Sequence, residues 1–232
     1  MFTKILFITL LLSSISCTFQ EEKDFTVLAN SFVLDYAQLF PDETPLSIDN
    51  PRLSDLHIPT SETLDSTRVF YQKYISELND FKTINVTANQ SQNAVSNTLN
   101  DISKIQNILK NINLYIVDCH TNPSTYNVHY GFNRIINASF DTPQKRAEIL
   151  YDKLEKVPAY YEAASSQLRQ SSVQQADATI EKHLITYYFF NVTLPNFVQK
   201  HAILTPQYHK RLEDAKFAIK DYVAYVESLR LN

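Results

Sequence analysis

The chain has 232 residues, 44% hydrophobic and 20% charged, which suffices for one globular domain with a real core. A formal charge of −4, a pI near 5.9 and no run of Lys or Arg offer nothing to a nucleic-acid backbone, so no nucleic-acid partner is expected. One glycine in the whole chain excludes phosphate-cradling Gly loops and Gly-x-Ser-x-Gly elbows, disfavours turn-rich β and Rossmann folds, and leaves an all-α fold.

The first residues read as an export address. Lys4 precedes the apolar run Ile5 to Leu12, followed by Ser13, Ser14, Ser16 and Cys17, the three regions of a secretory signal. The run is too short to span a bilayer. Two cleavage frames compete: after Ser16 in the small-x-small frame Ser14-Ile15-Ser16, or before a lipidated Cys17, as in a bacterial lipoprotein. "SSISC" fits the second better as a relaxed lipobox, with Ser14 where leucine is usual. The expected layout is signal peptide 1–16, tether and start of a strap 17–45, and helical domain 46–232. The expected location is the bacterial cell envelope, as an outer-membrane or periplasmic lipoprotein held to the membrane by a lipid anchor. The polar tail "TFQEEKDF" fits a tether or a solvated terminus equally well.

Only two cysteines are present. With Cys17 acylated, Cys119 has no disulfide partner, and its apolar neighbours Ile116 and Val117 point to structural burial. The adjacent His120 does not make a nucleophilic pair with it, because sequence neighbours on a helix do not face each other.

Residues 38–63 hold four of the nine prolines among Asp, Ser and Thr and read as a turn-rich strap. Helical periodicity starts near Ser61, where Ser61-Glu62-Thr63 can cap a helix bearing Leu64, Phe70, Tyr71, Tyr74, Ile75, Leu78 and Phe81. After "TINVTANQSQ", the seam Val95, Leu99, Ile102, Ile105, Leu109, Ile112 and Ile116 marks a second helix. Residues 120–143 break the pattern, with Gly131 and the aromatics Tyr126, Tyr130 and Phe132. Asp141 or Thr142 then caps a helix with Pro143 in its first turn. Its buried stripe is Ala147, Leu150 and Leu154, with Arg146, Asp152, Lys153, Glu155 and Lys156 expected mostly outside it. Pro158 ends that helix, and the next carries Tyr161, Ala164 and Leu168. The last helix, from Pro206 to about Leu229, places Tyr208, Leu212, Ala215, Ile219, Tyr222, Val226 and Leu229 on one face. The predicted architecture is an antiparallel multi-helix bundle with a Pro-rich N-terminal strap.

No catalytic constellation emerges from the residues. A zinc peptidase needs two histidines one helical turn apart with a glutamate between them, and His57, His120, His129, His183, His201 and His209 are dispersed. No catalytic residue, metal ligand or cofactor is therefore expected. The sequons at Asn85, Asn89, Asn137 and Asn191 matter only in a eukaryotic secretory pathway. Fourteen tyrosines are many, and some are expected to line a cleft.

The order and spacing of "NPSTY", "KRAEILYDKLEKVPAYYEAA", "YFFNVTLPNF" and "RLEDAKFAIKDYVAYVESL" resemble the N-terminal half of the bacterial family catalogued as domain of unknown function 885, over residues 50–232. The resemblance implies an exported, often lipid-anchored, mainly helical protein. It further implies that the family's His-Glu-x-x-Pro-Gly-His element belongs to a C-terminal half without counterpart here. Two functions follow as expectations: a non-catalytic domain binding a peptide or envelope protein, or the scaffold half of a zinc metallopeptidase-like hydrolase whose catalytic half is missing or on another chain. The closing helix 207–230 and the segment around Tyr126, His129, Tyr130 and Phe132 would face that half, and are expected to leave a tyrosine-rich patch for a partner or a second copy. The other possibility for these aromatics is ordinary core.

Overall fold

The computed structural model describes residues 25–43, 50–83, 92–201 and 205–230, with side chains except at 81–83 and 92–99. Among these residues the chain forms helices and turns and no strand, so the protein is all-α. Two compact units divide it: one comprises the chain up to Tyr36 with Arg68–Asn113, the other Ala37–Thr67 with Leu114–Asn232.

The first unit contains most of α1 (residues 25–39), the later part of α2 (Ser61–Thr83) and α3 (Gln92–Asp118) up to Asn113. Helix α1 occupies sequence assigned above to the tether. Phe25, Leu28 and Phe32, three and four residues apart, are buried, and such a stripe stabilises a helix only by packing on a neighbour. Phe32 meets Phe70 and Tyr74 of α2 with ring centroids 5.3 and 5.0 Å apart. Asp35 accepts hydrogen bonds from Tyr74 Oη at 2.7 Å and Lys73 Nζ at 2.9 Å, and the bonds from Lys73 and then Tyr74 hold its carboxyl below the usual range. On α2, Leu64, Phe70, Tyr74 and Leu78 are buried; on α3, Ile105, Leu109 and Ile112 are. Phe81, Val95, Leu99, Asn85 and Asn89 lie outside the described side chains.

The second unit holds α4 (His129–Ile136), α5 (Pro143–Leu154), α6 (Val157–Gln167), α7 (Val173–Tyr188), α8 (Leu194–His201) and α9 (Pro206–Arg230). Local chemistry sets the boundaries. Thr142 caps α5 by accepting from Lys145 N–H at 3.2 Å, with Pro143 where no donor is needed. Ser172 and Gln175 form a reciprocal capping box at α7. Pro158 sits in the first turn of α6, so α5 and α6 part at Glu155 and Lys156. Between α7 and α8, Phe189–Thr193 opens into a π turn in which Leu194 N–H reaches back five residues to the Phe189 carbonyl. The following Pro195 has no N–H for an α-helical bond and would crowd the carbonyl of Asn191, which explains the wider turn.

Helix α9 packs on α5, α6 and α7, burying Tyr208, Leu212, Ala215, Ile219, Tyr222 and Val226. Ala147, Leu150 and Leu154 form the expected buried stripe of α5. Two expectations need correction. Residues 129–136 are helical, not a break. Lys153 is 1% exposed and Arg146 is buried, although both were expected outside the stripe.

Candidate functional site

Faces of α6 and α9 enclose a groove of about 630 Å³ within the second unit, a size typical of ligand sites. Helix α6 contributes Pro158, Tyr161, Glu162 and Ser165, all on one helical face. Helix α9 contributes Asp214, Phe217, Ala218, Asp221, Tyr222 and Tyr225 at alternating steps of three and one, again one face. Aromatic rings make the walls and carboxylates the rim.

Two of the three groove tyrosines have their hydroxyls engaged away from a ligand. Tyr222 Oη donates to the Pro123 carbonyl at 2.7 Å and Tyr225 Oη to the Leu168 carbonyl at 3.0 Å, which fixes both rings. Tyr161 packs on Tyr222 with centroids 4.9 Å apart, and burial pushes both phenols far above their ordinary pKa, so they stay neutral. Phe217 is 65% exposed, an aromatic left to solvent on a helix whose other face is packed. Asp214 is paired with Lys210 at 2.6 Å, whereas among the described residues no cation pairs with Glu162 or Asp221. These two carboxylates stand on opposite helices of the groove. A second hollow of about 490 Å³, touching α5, α8 and the start of α9, has one carboxylate, Glu148, already paired with Lys145 at 2.8 Å.

The aromatic segment expected at a partner surface is mostly internal. Tyr126 is 1% exposed and Phe132 is fully buried. Tyr126 Oη donates to the Cys119 carbonyl at 2.6 Å, and Phe132 meets Phe190 of the π turn at 4.9 Å. The exposed-patch expectation therefore fails for these two, because the bond to the Cys119 carbonyl holds Tyr126 inward and α4 turns Phe132 inward. His129 is half-buried against Phe189, and Tyr130 alone is open.

Gly131 is tightly enclosed. A Cβ there would lie 2.5 Å from Asp42 Oδ1, so only glycine lets the turn Pro41–Glu43 seat its carboxylate against α4. Asp42 pairs with Lys153 Nζ, which also donates to the Leu53 carbonyl at 3.4 Å and to the Asp55 carbonyl, and lies 5.9 Å from the Phe132 ring. Lys156 adds a bond to the Ser54 carbonyl at 2.9 Å. Burial lowers the Lys153 pKa and Asp42 opposes that shift. An amine depressed in this way can serve as a base, but here its donors are taken and it is closed to solvent. Its role is to fasten the strap to α5.

The remaining candidates do not assemble into chemistry. Cys119 is buried with its thiol donating to the Ile116 carbonyl at 3.2 Å, while His120 Nδ1 lies 2.8 Å from the Gln167 carbonyl, so the two do not meet. Among the described residues no three of His, Cys, Asp and Glu are grouped to hold a metal ion. None of the described helices is long and apolar enough to cross a membrane. Cys17 lies outside the described residues.

No protein-family model matches the chain, and no curated protein does. Among solved structures, one described as "a putative lipoprotein of unknown function from Shewanella oneidensis" superposes with a TM-score of 0.67 at 22% identity, over 88% of this chain. The two share a fold. The chain spans 37% of that protein's length.

The sequence signals for these features differ in strength. Helix α1 was announced by Phe25, Leu28, Phe32 and Tyr36 at helical steps. The groove had a weaker signal, the regular spacing of Asp214, Phe217, Asp221 and Tyr225 on α9. Nothing near Lys153 announced its burial.

Proposed function

We propose that this chain is an exported, lipid-anchored helical domain of a bacterial envelope that acts by binding, and that a peptide or extended segment of an envelope protein lies in the α6–α9 groove. The observation that carries the proposal is the groove itself: a concave surface with the fixed, half-buried Tyr225 ring and an exposed Phe217. Export and anchoring rest on the signal-like start, the lipobox at Cys17, and the fold shared with a protein described as a lipoprotein. The triacylated N-terminus of a mature lipoprotein anchors firmly, where one acyl chain holds only marginally.

Two experiments test this. Palmitate labelling with detergent partition, on wild type and Cys17→Ser, should show a labelled, membrane-bound wild type and an unlabelled variant; an unlabelled, soluble wild type sinks the anchor. Photo-crosslinking from position 217 in cells should trap an envelope protein or peptide, whereas a clean monomer under all conditions counts against binding in the groove.

A second function rests on the resemblance of residues 50–232 to the N-terminal half of a longer family, and the neighbour sharing the fold is itself longer than this chain. In that case the chain belongs to the domain of unknown function 885 family as the scaffold half of a zinc metallopeptidase-like hydrolase. A neighbouring gene encoding His-Glu-x-x-Pro-Gly-His, whose product co-purifies with this chain, would favour it. Binding of no such product would exclude it.

A further inference from the structure

We infer that the occupant of the α6–α9 groove is a basic polypeptide segment, with a Lys or Arg head seated over the aromatic wall between Glu162 and Asp221; this rests on the peptide-binding function proposed above. Three observations converge on a cation. Phe217 is exposed and Tyr225 half-buried, so these two rings present π surface, and Tyr225 has its hydroxyl committed to the Leu168 carbonyl, so what remains for a ligand there is the negative face of the ring, whereas Tyr161 and Tyr222 are buried. Carboxylates stand on both helices, and Glu162 and Asp221 have no cation of the described chain against them, while Asp214 is held by Lys210. The hollow touching α5, α8 and α9, which also has two tyrosines in its lining, has its carboxylate neutralised by Lys145, in contrast to this groove.

A cation over an aromatic face and beside a carboxylate gains from both, and more so where a concave wall excludes water. The alkyl stem of Lys or Arg suits the same surface, since it packs along rings while the head reaches the rim. An acidic segment would meet two uncompensated carboxylates. A wholly apolar one would leave them desolvated against nothing.

The test uses the full chain in mild detergent and a fluorescent synthetic peptide of alternating Lys and Ala, read by anisotropy, against the same peptide with every lysine acetylated. The basic peptide should bind at least about tenfold more tightly than the acetylated one, and its affinity should fall as salt rises from about 50 to 500 mM. Glu162→Gln with Asp221→Asn should reduce the basic peptide to the level of the acetylated one with helix content unchanged, and Phe217→Ser should weaken both peptides. Equal binding of the two peptides, or binding indifferent to Glu162 and Asp221, overturns the cation preference while leaving peptide binding intact. If neither peptide binds at up to about millimolar concentration, this inference and the peptide-binding function beneath it both fall.

Discussion

Two aromatic regions of the second unit put the same residue types to opposite uses. The segment Tyr126–Phe132 turns its rings inward, where Tyr126 satisfies a backbone carbonyl and Phe132 meets Phe190. The α6–α9 groove keeps Tyr225 and Phe217 at a surface over the buried rings of Tyr161 and Tyr222, with the Tyr225 hydroxyl also satisfied by backbone but its ring half-open and Phe217 left to solvent. The difference teaches that a tyrosine's role follows from where its hydroxyl is anchored and what then covers its ring. Composition is the same in both places.

The largest expected effect tests the internal side of this contrast. Phe132→Ala should cost about 3–5 kcal/mol, because it empties a site packed on all sides, and should lower the melting temperature by at least about 6 °C. Tyr126→Ser with Phe132→Ser should destabilise further without changing association; a double variant that melts normally and only loses a partner would place these rings at a surface. Next comes the fastening beside Phe132. Lys153→Met leaves the Asp42 carboxylate without its partner at a buried site, with an expected cost of roughly 3 kcal/mol, and Gly131→Ala forces a Cβ against that carboxylate for about 1–3 kcal/mol. Thermal melts read both, and a Gly131→Ala protein as stable as wild type would show that the turn Pro41–Glu43 is free to shift.

A pH effect of intermediate size follows from three histidines of the second unit. Burial lowers the pKa of His57, with the Leu39 carbonyl and Asp42 opposing it; burial lowers that of His129; and burial lowers that of His183, with the Thr179 carbonyl opposing it. Each has a folded pKa below its unfolded one, so between those values the unfolded chain binds more protons and stability rises with pH. The cost should appear as pH falls through the unfolded histidine pKa of about 6.5, and melting between pH 7 and 5 should drop by a few degrees. Replacing His183 with Gln should flatten that dependence; an unchanged slope would mean the ring is not held neutral. The smallest stability effect belongs to the groove. Phe217→Ser should change stability by no more than about 0.5 kcal/mol while weakening peptide binding, the reverse of Phe132→Ala. If it destabilises as strongly as a core change, the groove is closed in solution and the contrast fails.

The helical class, the stripes of α2, α3, α5 and α9, and the cap at Thr142 were legible because periodicity and capping are local: a residue and its neighbours three or four places away decide them. Helix α1 obeyed the same rule and was missed because its stripe sits between a polar tail and a proline-rich strap. Other features depend on distant partners. Lys153 is buried because Asp42 and the carbonyls of Leu53 and Asp55, about a hundred positions earlier, replace its water, and no window around residue 153 contains them. Tyr126 and Phe132 carry no local mark separating a core ring from a docking ring; for Phe132 the packing of α4 against α5 and the π turn decided it, and for Tyr126 the Cys119 carbonyl and the Tyr115 ring. The groove likewise exists only because α6 and α9 meet along faces that bring Glu162 and Asp221 to one cavity. Periodicity fixes which residues share a helix face, but the rotation of one helix against another is set by how their side chains interlock across the interface.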